Sequence, residues 1–206
     1  MDKRRFITAV LSTAAAAAAA RSAPARVAGA HAAIRGDFAA EPRRPGIATV
    51  IYDERYSDAR EFASALESAG ATAFASAQDP VPLWYRQLAP RSAREDARFA
   101  GLTPHSDLSL LAQCAAAHDL ALLYEGVHDC RWASTVSHSL RARGGLTDVA
   151  ATAVFGAGPR WPGALAAALH AAVLAGVWAR PLEARHSAPR AIDHPGTLVS
   201  WVIGPA

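Results

Sequence analysis

From Gly46 onward, short apolar runs alternate with stretches of helical spacing. Ile47-Ala48-Thr49-Val50-Ile51-Tyr52 is nearly continuous and ends at Asp53, the pattern of a strand buried on both faces. Over 57–69, Ala59, Phe62, Ala63, Leu66 and Ala69 recur on one helical face. Asp58 and Glu61 are placed there for a capping box and Gly70 for a stop. Ala71–Ala75 predicts a weaker second strand, and strand–helix–strand in this order predicts a right-handed crossover in a parallel sheet. Residues 79–86, broken by Pro80 and Pro82 and carrying Trp84 and Tyr85, predict a loop entering a short helix, with a polar loop at 90–97. Arg98–Leu102 is the third strand. Thr103 is then placed as a cap, with Pro104 at the first position of a helix whose apolar stripe is Leu108, Leu111, Ala112 and Ala115. Leu120–Tyr124 is the fourth strand, ending in Glu125-Gly126-Val127-His128.

Beyond this point the period changes. Thr135–Arg141 alternates apolar and polar, as an antiparallel strand with one solvated face does. Short helical structure fits 146–154. The run 161–179 is apolar apart from His170, but Pro162, Gly163, Gly176 and its many alanines predict a buried core helix rather than a stable membrane anchor. Thr197–Ile203 is a last strand, placed at the sheet edge or against the stretch near 182–187. The whole predicts an α/β fold. Its sheet is mainly parallel, of about four strands in a three-layer, Rossmann-like arrangement, with antiparallel strands added in the C-terminal half.

The head of the chain follows different rules. Met1-Asp2-Lys3-Arg4-Arg5-Phe6-Ile7 leads through Ala9-Val10-Leu11 into the tract Ala14–Ala20, giving a basic n-region, a weakly apolar h-region and small residues suited to cleavage after Ala25 or Ala30. Asp2-Lys3-Arg4-Arg5-Phe6-Ile7 resembles the twin-arginine signal-peptide family, with Lys3 standing where that pattern has its first arginine. This departure leaves the ordinary secretory route open. The resemblance implies a bacterial exported protein that engages the twin-arginine (Tat) translocase, folds before export and resides in the periplasm. Residues 1–30 are thus read as signal peptide, 31–46 as a linker or disordered start, and 47–206 as one α/β domain.

Charge changes meaning once the leader is set aside. Residues 1–30 hold five of the 21 Lys+Arg and one of the 18 Asp+Glu, leaving 16 against 17. The basic balance belongs to the leader, so nucleic-acid binding loses its electrostatic basis. Lys3 is the sole lysine, which removes Schiff-base chemistry and a P-loop from consideration. Cys114 and Cys130 are the two cysteines; an oxidising compartment permits a disulfide, and free thiols are the alternative.

Ligands of open α/β sheets bind beyond the carboxyl ends of the strands. That rule selects Asp53, His105 and Glu125 as candidate catalytic residues, with Glu54, Arg55, Thr103, His128 and Asp129 as ligand-binding candidates. Glu125 and His128 could serve as acid and base or join His105 around a metal. His138 and His170 read as strand and helix packing residues. No dinucleotide fingerprint, G-x-S-x-G, H-E-x-x-H or C-x-x-C occurs, and no cofactor is specified. Three functions fit: an exported accessory module binding a small molecule or an exported protein partner, an acid–base or metal-dependent hydrolase, and a membrane-associated component held by 161–179.

Overall fold

A computed structural model describes residues 46–76, 79–93, 97–132, 135–142, 146–176, 184–189 and 196–205. The leader and linker lie outside them. β1 (Thr49–Tyr52), α1 (Ser57–Ser68) and β2 (Thr72–Ala75) come where the apolar spacing places them. The capping box does not form: Tyr56 is the N-cap, without a side-chain bond, and Asp58 lies buried in the first turn.

Helical structure extends further than expected after β2. α2 (Pro80–Leu83), capped by Asp79 through a 2.9 Å bond from the Val81 amide, runs through a π-helical turn (Trp84–Leu88) into α3 (Ala89–Ser92). Pro90 explains the widened turn. It has no N–H for the Arg86 carbonyl, and its ring crowds that group.

β3 (Phe99–Thr103) leads into α4 (His105–Ala116), with Thr103 still in the strand and Pro104, in extended conformation, at the N-cap. The expected Thr103 cap is therefore corrected. β4 (Leu120–Trp132) is far longer than its apolar run, and β5 (Thr135–Ala142) pairs back against it. α5 (Leu146–Ala157), a 3₁₀ turn (Gly158–Arg160), α6 (Trp161–Ala175), β6 (Ala184–Pro189) and β7 (Thr197–Pro205) complete the chain.

Among the described residues seven strands form one mixed sheet in the order β2-β1-β3-β7-β4-β5-β6. β1 pairs in parallel with β2 and β3, and every other pairing is antiparallel. The expected mainly parallel sheet is corrected: among the described residues two of the six pairings are parallel and four antiparallel, and four parallel strands do not lie side by side. β4 runs in the same sense as β3, because both oppose β7, but β7 separates them. Nor is β7 at an edge. Leu198–Gly204 is buried throughout, as a central strand with apolar residues on both faces must be. The stretch near 184–189 pairs with β5 instead.

Alternation along the strands sends Val50 and Val202 to one face, and Ile51, Trp201 and Ile203 to the other. α1, α5 and α6 cover the first face through Phe62, Leu66, Val154, Trp161 and Leu169. Trp84, Leu88 and α4, through Leu108 and Leu111, cover the second. α6 packs on the core through Trp161, Leu165, Leu169 and Val173 but exposes Ala167, Ala171 and Leu174, so it covers the sheet with one face rather than lying buried all round, and among the described residues no helix is long and apolar enough to cross a membrane. Cys114 packs on the second face and Cys130 in the core of the first, and no disulfide joins them.

Candidate functional site

β1 hands the chain to α1 on one face of the sheet, while the neighbouring β3 hands it to α4 on the other. The chain thus parts between the carboxyl ends of two adjacent parallel strands, the place where open α/β sheets form a crevice. Asp53 leaves β1 there. Its amide bonds to Leu102 O (3.3 Å) and its carboxylate is fully buried.

Arg55 engages that carboxylate three ways: its amide donates to Oδ1 (3.0 Å), Nε to Oδ1 (2.9 Å) and Nη2 to Oδ2 (2.5 Å). Bidentate pairing of this kind fixes direction as well as charge. The Arg55 side chain is nevertheless 62% exposed, and three of its five guanidinium N–H groups make no bond to Asp53. The bond to Asp53, then its charge, and more weakly Tyr56 and Asp107, bind the guanidinium proton more tightly than usual. Arg60 of α1 donates to the Glu54 carbonyl and pins the turn from below; Glu54 itself is exposed.

Across the crevice, Asp107 occupies the first turn of α4, where the helix dipole favours a carboxylate. Ser76, at the end of β2, donates to its Oδ2 (2.7 Å), and Ser106 to its Oδ1 (3.2 Å). The carboxyl-end rule selects Ser76 and Asp107 as readily as it selects Asp53, and the sequence reading passed over both. His105 Nε2 stands 3.9 Å from Glu125 Oε1, with Ser109 Oγ 3.3 Å from its Nδ1. At 3.9 Å the imidazole and carboxylate are outside direct proton-transfer reach.

The remaining candidates divide. Thr103 is buried, and its Oγ1 accepts the Trp201 indole N–H (3.1 Å), so it serves the core. Glu125, His128 and Asp129 do not follow β4 as rim residues but lie within it. Strand alternation places His128 on the face opposite Glu125, under α6, which separates it from His105. Asp129, half-buried, shares the Glu125 side. Among the described residues no group of three or more His, Cys, Asp or Glu could hold a metal, so the joint His105–Glu125–His128 site is not assembled.

His128 belongs instead to a polar network sealed in the core. Its Nε2 lies 2.7 Å from Ser200 Oγ and its Nδ1 lies 2.7 Å from His138 Nδ1. Ser200 Oγ also meets Tyr124 Oη (3.2 Å) and Gly126 O (3.4 Å). Glycine is required at 126, because a Cβ would fall 2.4 Å from Tyr124 Oη and 2.6 Å from Ser200 Oγ.

A hydroxyl has one proton and accepts twice. The arrangement that satisfies every partner has Ser200 donating to Gly126 O and accepting from Tyr124 O–H and His128 Nε2–H. His128 Nδ1 is then bare and accepts from His138 Nδ1–H. Trp161 of α6 packs on both rings, at 4.2 Å from His128 and 4.9 Å from His138. Burial, and secondarily His138, pushes His128 well below the usual imidazole range. Burial raises the Tyr124 hydroxyl above the phenolic range, partly offset by Ser200. His170, half-buried on α6, is lowered by burial alone. His138 and His170 thus pack as their sequence positions suggest. The signal for the network was polar residues inside apolar strands, Ser200 within Leu-Val-Ser-Trp-Val above all.

No protein-family model matches this chain, and no match was found among curated proteins or solved structures.

Proposed function

We propose that this is an exported bacterial module that binds a small polar ligand in the crevice between the carboxyl ends of β1 and β3. The observation that carries this reading is the Asp53–Arg55 pair. A buried carboxylate orients a guanidinium whose side chain remains 62% exposed, opposite the Ser76–Asp107 pair. Arg55 offers a donor to a carboxylate or carbonyl of the ligand, and Asp107 and Glu54 accept from its amine or hydroxyl groups. Export rests on the leader and its likeness to twin-arginine signals. The acid–base alternative has less support, since both Asp53 oxygens are taken by Arg55 and His105 stands apart from Glu125.

Thermal-shift screening against amino acids, hydroxy acids, polyamines and monosaccharides tests the binding reading. A ligand that raises Tm for the native chain but not for Arg55→Ala or Asp107→Asn supports it. Ligands that stabilise native and variant chains equally place binding elsewhere and overturn it. Fractionation of producing cells with and without a functional twin-arginine translocase tests the export reading.

A further inference from the structure

The crevice holds two opposite charges that are fixed near one another and yet unpaired with each other. Ser76 ties both to the end of β1. Its amide donates to the carbonyl of Tyr52, the residue before Asp53 (2.7 Å), and its hydroxyl donates to Asp107 Oδ2 (2.7 Å). The Asp107 charge acts on the Arg55 guanidinium across this gap. Among the described residues no ion pair joins the two, because Arg55 pairs with Asp53 instead. We propose that the ligand of the crevice is a small amino acid in its zwitterionic form, with its carboxylate on Arg55 and its ammonium on Asp107. This rests on binding in the crevice and names the class of molecule bound there.

Each group is anchored so that capacity is left over. Asp53 takes one edge of the guanidinium through Nε (2.9 Å) and Nη2 (2.5 Å), and Cζ stands 5.5 Å from the centre of the Tyr56 ring. The N–H groups that remain belong to Nη1 and Nη2, a planar pair of donors matched to a carboxylate. At Asp107 each oxygen accepts one hydroxyl proton, from Ser76 (2.7 Å) and Ser106 (3.2 Å). Each oxygen keeps a second lone pair, and an ammonium, with three donors and no acceptor, is the group that fills such positions. The Asp107 carboxylate is half-buried and held from two sides, so its direction is set before a ligand arrives.

The two charges do not close on each other because each is held where it is. Drawing Arg55 across to Asp107 strips a fully buried carboxylate of its partner, which is strongly unfavourable. The gap therefore stays open, and a molecule carrying both signs satisfies both sides at once.

Charge balance selects the ammonium. Around the β1 turn and the start of α4, Asp53, Glu54 and Asp107 stand against Arg55 and Arg60. Asp53 already neutralises Arg55, and Arg60 is engaged with the Glu54 carbonyl. A simple carboxylate arriving at Arg55 thus meets Asp107 and the exposed Glu54 with nothing to balance them. An ammonium on the same molecule supplies the missing positive charge.

The test is isothermal titration of the folded full chain with the standard L-amino acids, each beside its des-amino acid and its α-carboxamide. At least one amino acid is expected to bind about tenfold or more tightly than either of its analogues. Asp107→Asn should erase the advantage over the des-amino acid and keep that over the carboxamide. Arg55→Gln should do the converse, a crossed pattern that general damage to the fold does not produce. If Arg55→Gln does not fold, the native chain and Asp107→Asn decide the matter. A des-amino acid that binds the native chain as tightly as its parent overturns the zwitterion. So does an equal loss for both in Asp107→Asn, or failure of every amino acid to bind. Binding in the crevice itself then stands if an Arg55-dependent hydroxy acid, polyamine or monosaccharide is found. An amino acid whose binding ignores both variants overturns the zwitterion and the crevice together.

Discussion

Replacing Gly101 by alanine is the sharpest test of how the second core is assembled. Gly101 sits in β3 between Ile51 of β1 and Trp201 of β7, its register partners on either side. A Cβ built there falls 2.3 Å from Trp201 Cζ2, 2.5 Å from Cε2 and 2.7 Å from the Ile51 carbonyl oxygen. None of these can yield cheaply. The carbonyl belongs to a central strand, and the indole is fully buried and tied through Nε1 to Thr103 Oγ1 at 3.1 Å.

Overpacking of this kind costs about 1–3 kcal/mol. Swinging the ring aside leaves a buried N–H unpaired, at about 1–3 kcal/mol more. Alanine's smaller conformational entropy loss returns only about 0.5–1 kcal/mol. The expected balance is roughly 2–3 kcal/mol of destabilisation. With a urea m-value of about 2 kcal/mol/M, the unfolding midpoint should fall by about 1 M. A midpoint unchanged to within about 0.2 M, or raised, would refute the packing described. A double-mutant cycle with Trp201→Phe locates the cause. The two changes should couple by at least about 1 kcal/mol, whereas strict additivity assigns the clash to the Ile51 carbonyl.

Thr103→Val keeps the shape of the side chain and strands the Trp201 indole N–H. Calorimetry or urea unfolding should show a loss of about 1–3 kcal/mol, and a neutral result would mean that another acceptor takes over. Ser200→Ala removes the partner of both Tyr124 and His128. It should cost about 1–3 kcal/mol in urea unfolding at pH 7.5, and an equally stable protein would contradict the buried network. Under native conditions a thiol reagent should modify the half-buried Cys114 before the fully covered Cys130, and mass spectrometry of oxidised protein should find no intramolecular Cys114–Cys130 bond. Recovery of that bond from folded protein would contradict the separation of the two residues by the sheet.

Much of the first half of the fold was legible because its local signals agree. The apolar run at 47–52, the helical spacing at 57–69 and the strand near 99–103 each stand where the residues put them. So does the antiparallel alternation of β5, with Val136, His138 and Leu140 buried and Ser137 and Arg141 exposed. What escaped was pairing between distant segments. Nothing local to Thr197–Ile203 says which strands it joins, and the edge position expected for it gave way to a central one. β4 was cut short at Tyr124 because Glu125, Gly126, His128 and Asp129 look like loop residues. They fit a strand only because one face has a glycine and a hydrogen-bonded histidine, while the other is polar. The rim was legible at Asp53, Arg55 and His105, and Thr103 was misassigned for want of knowing that Trp201 would arrive beside it.

The position of β7 has a consequence for how the molecule comes into being. Phe99 must wait for Ile203, and Leu120 for Pro205, before the middle of the sheet exists. Until β7 inserts, the strands before it form two incomplete half-sheets with exposed inner borders, a state prone to wrong partnerships. Assembly of the sheet therefore waits for β7 and has a high entropic threshold, set by loop closures spanning most of the domain. Removing β7 would split the sheet into two sticky remnants.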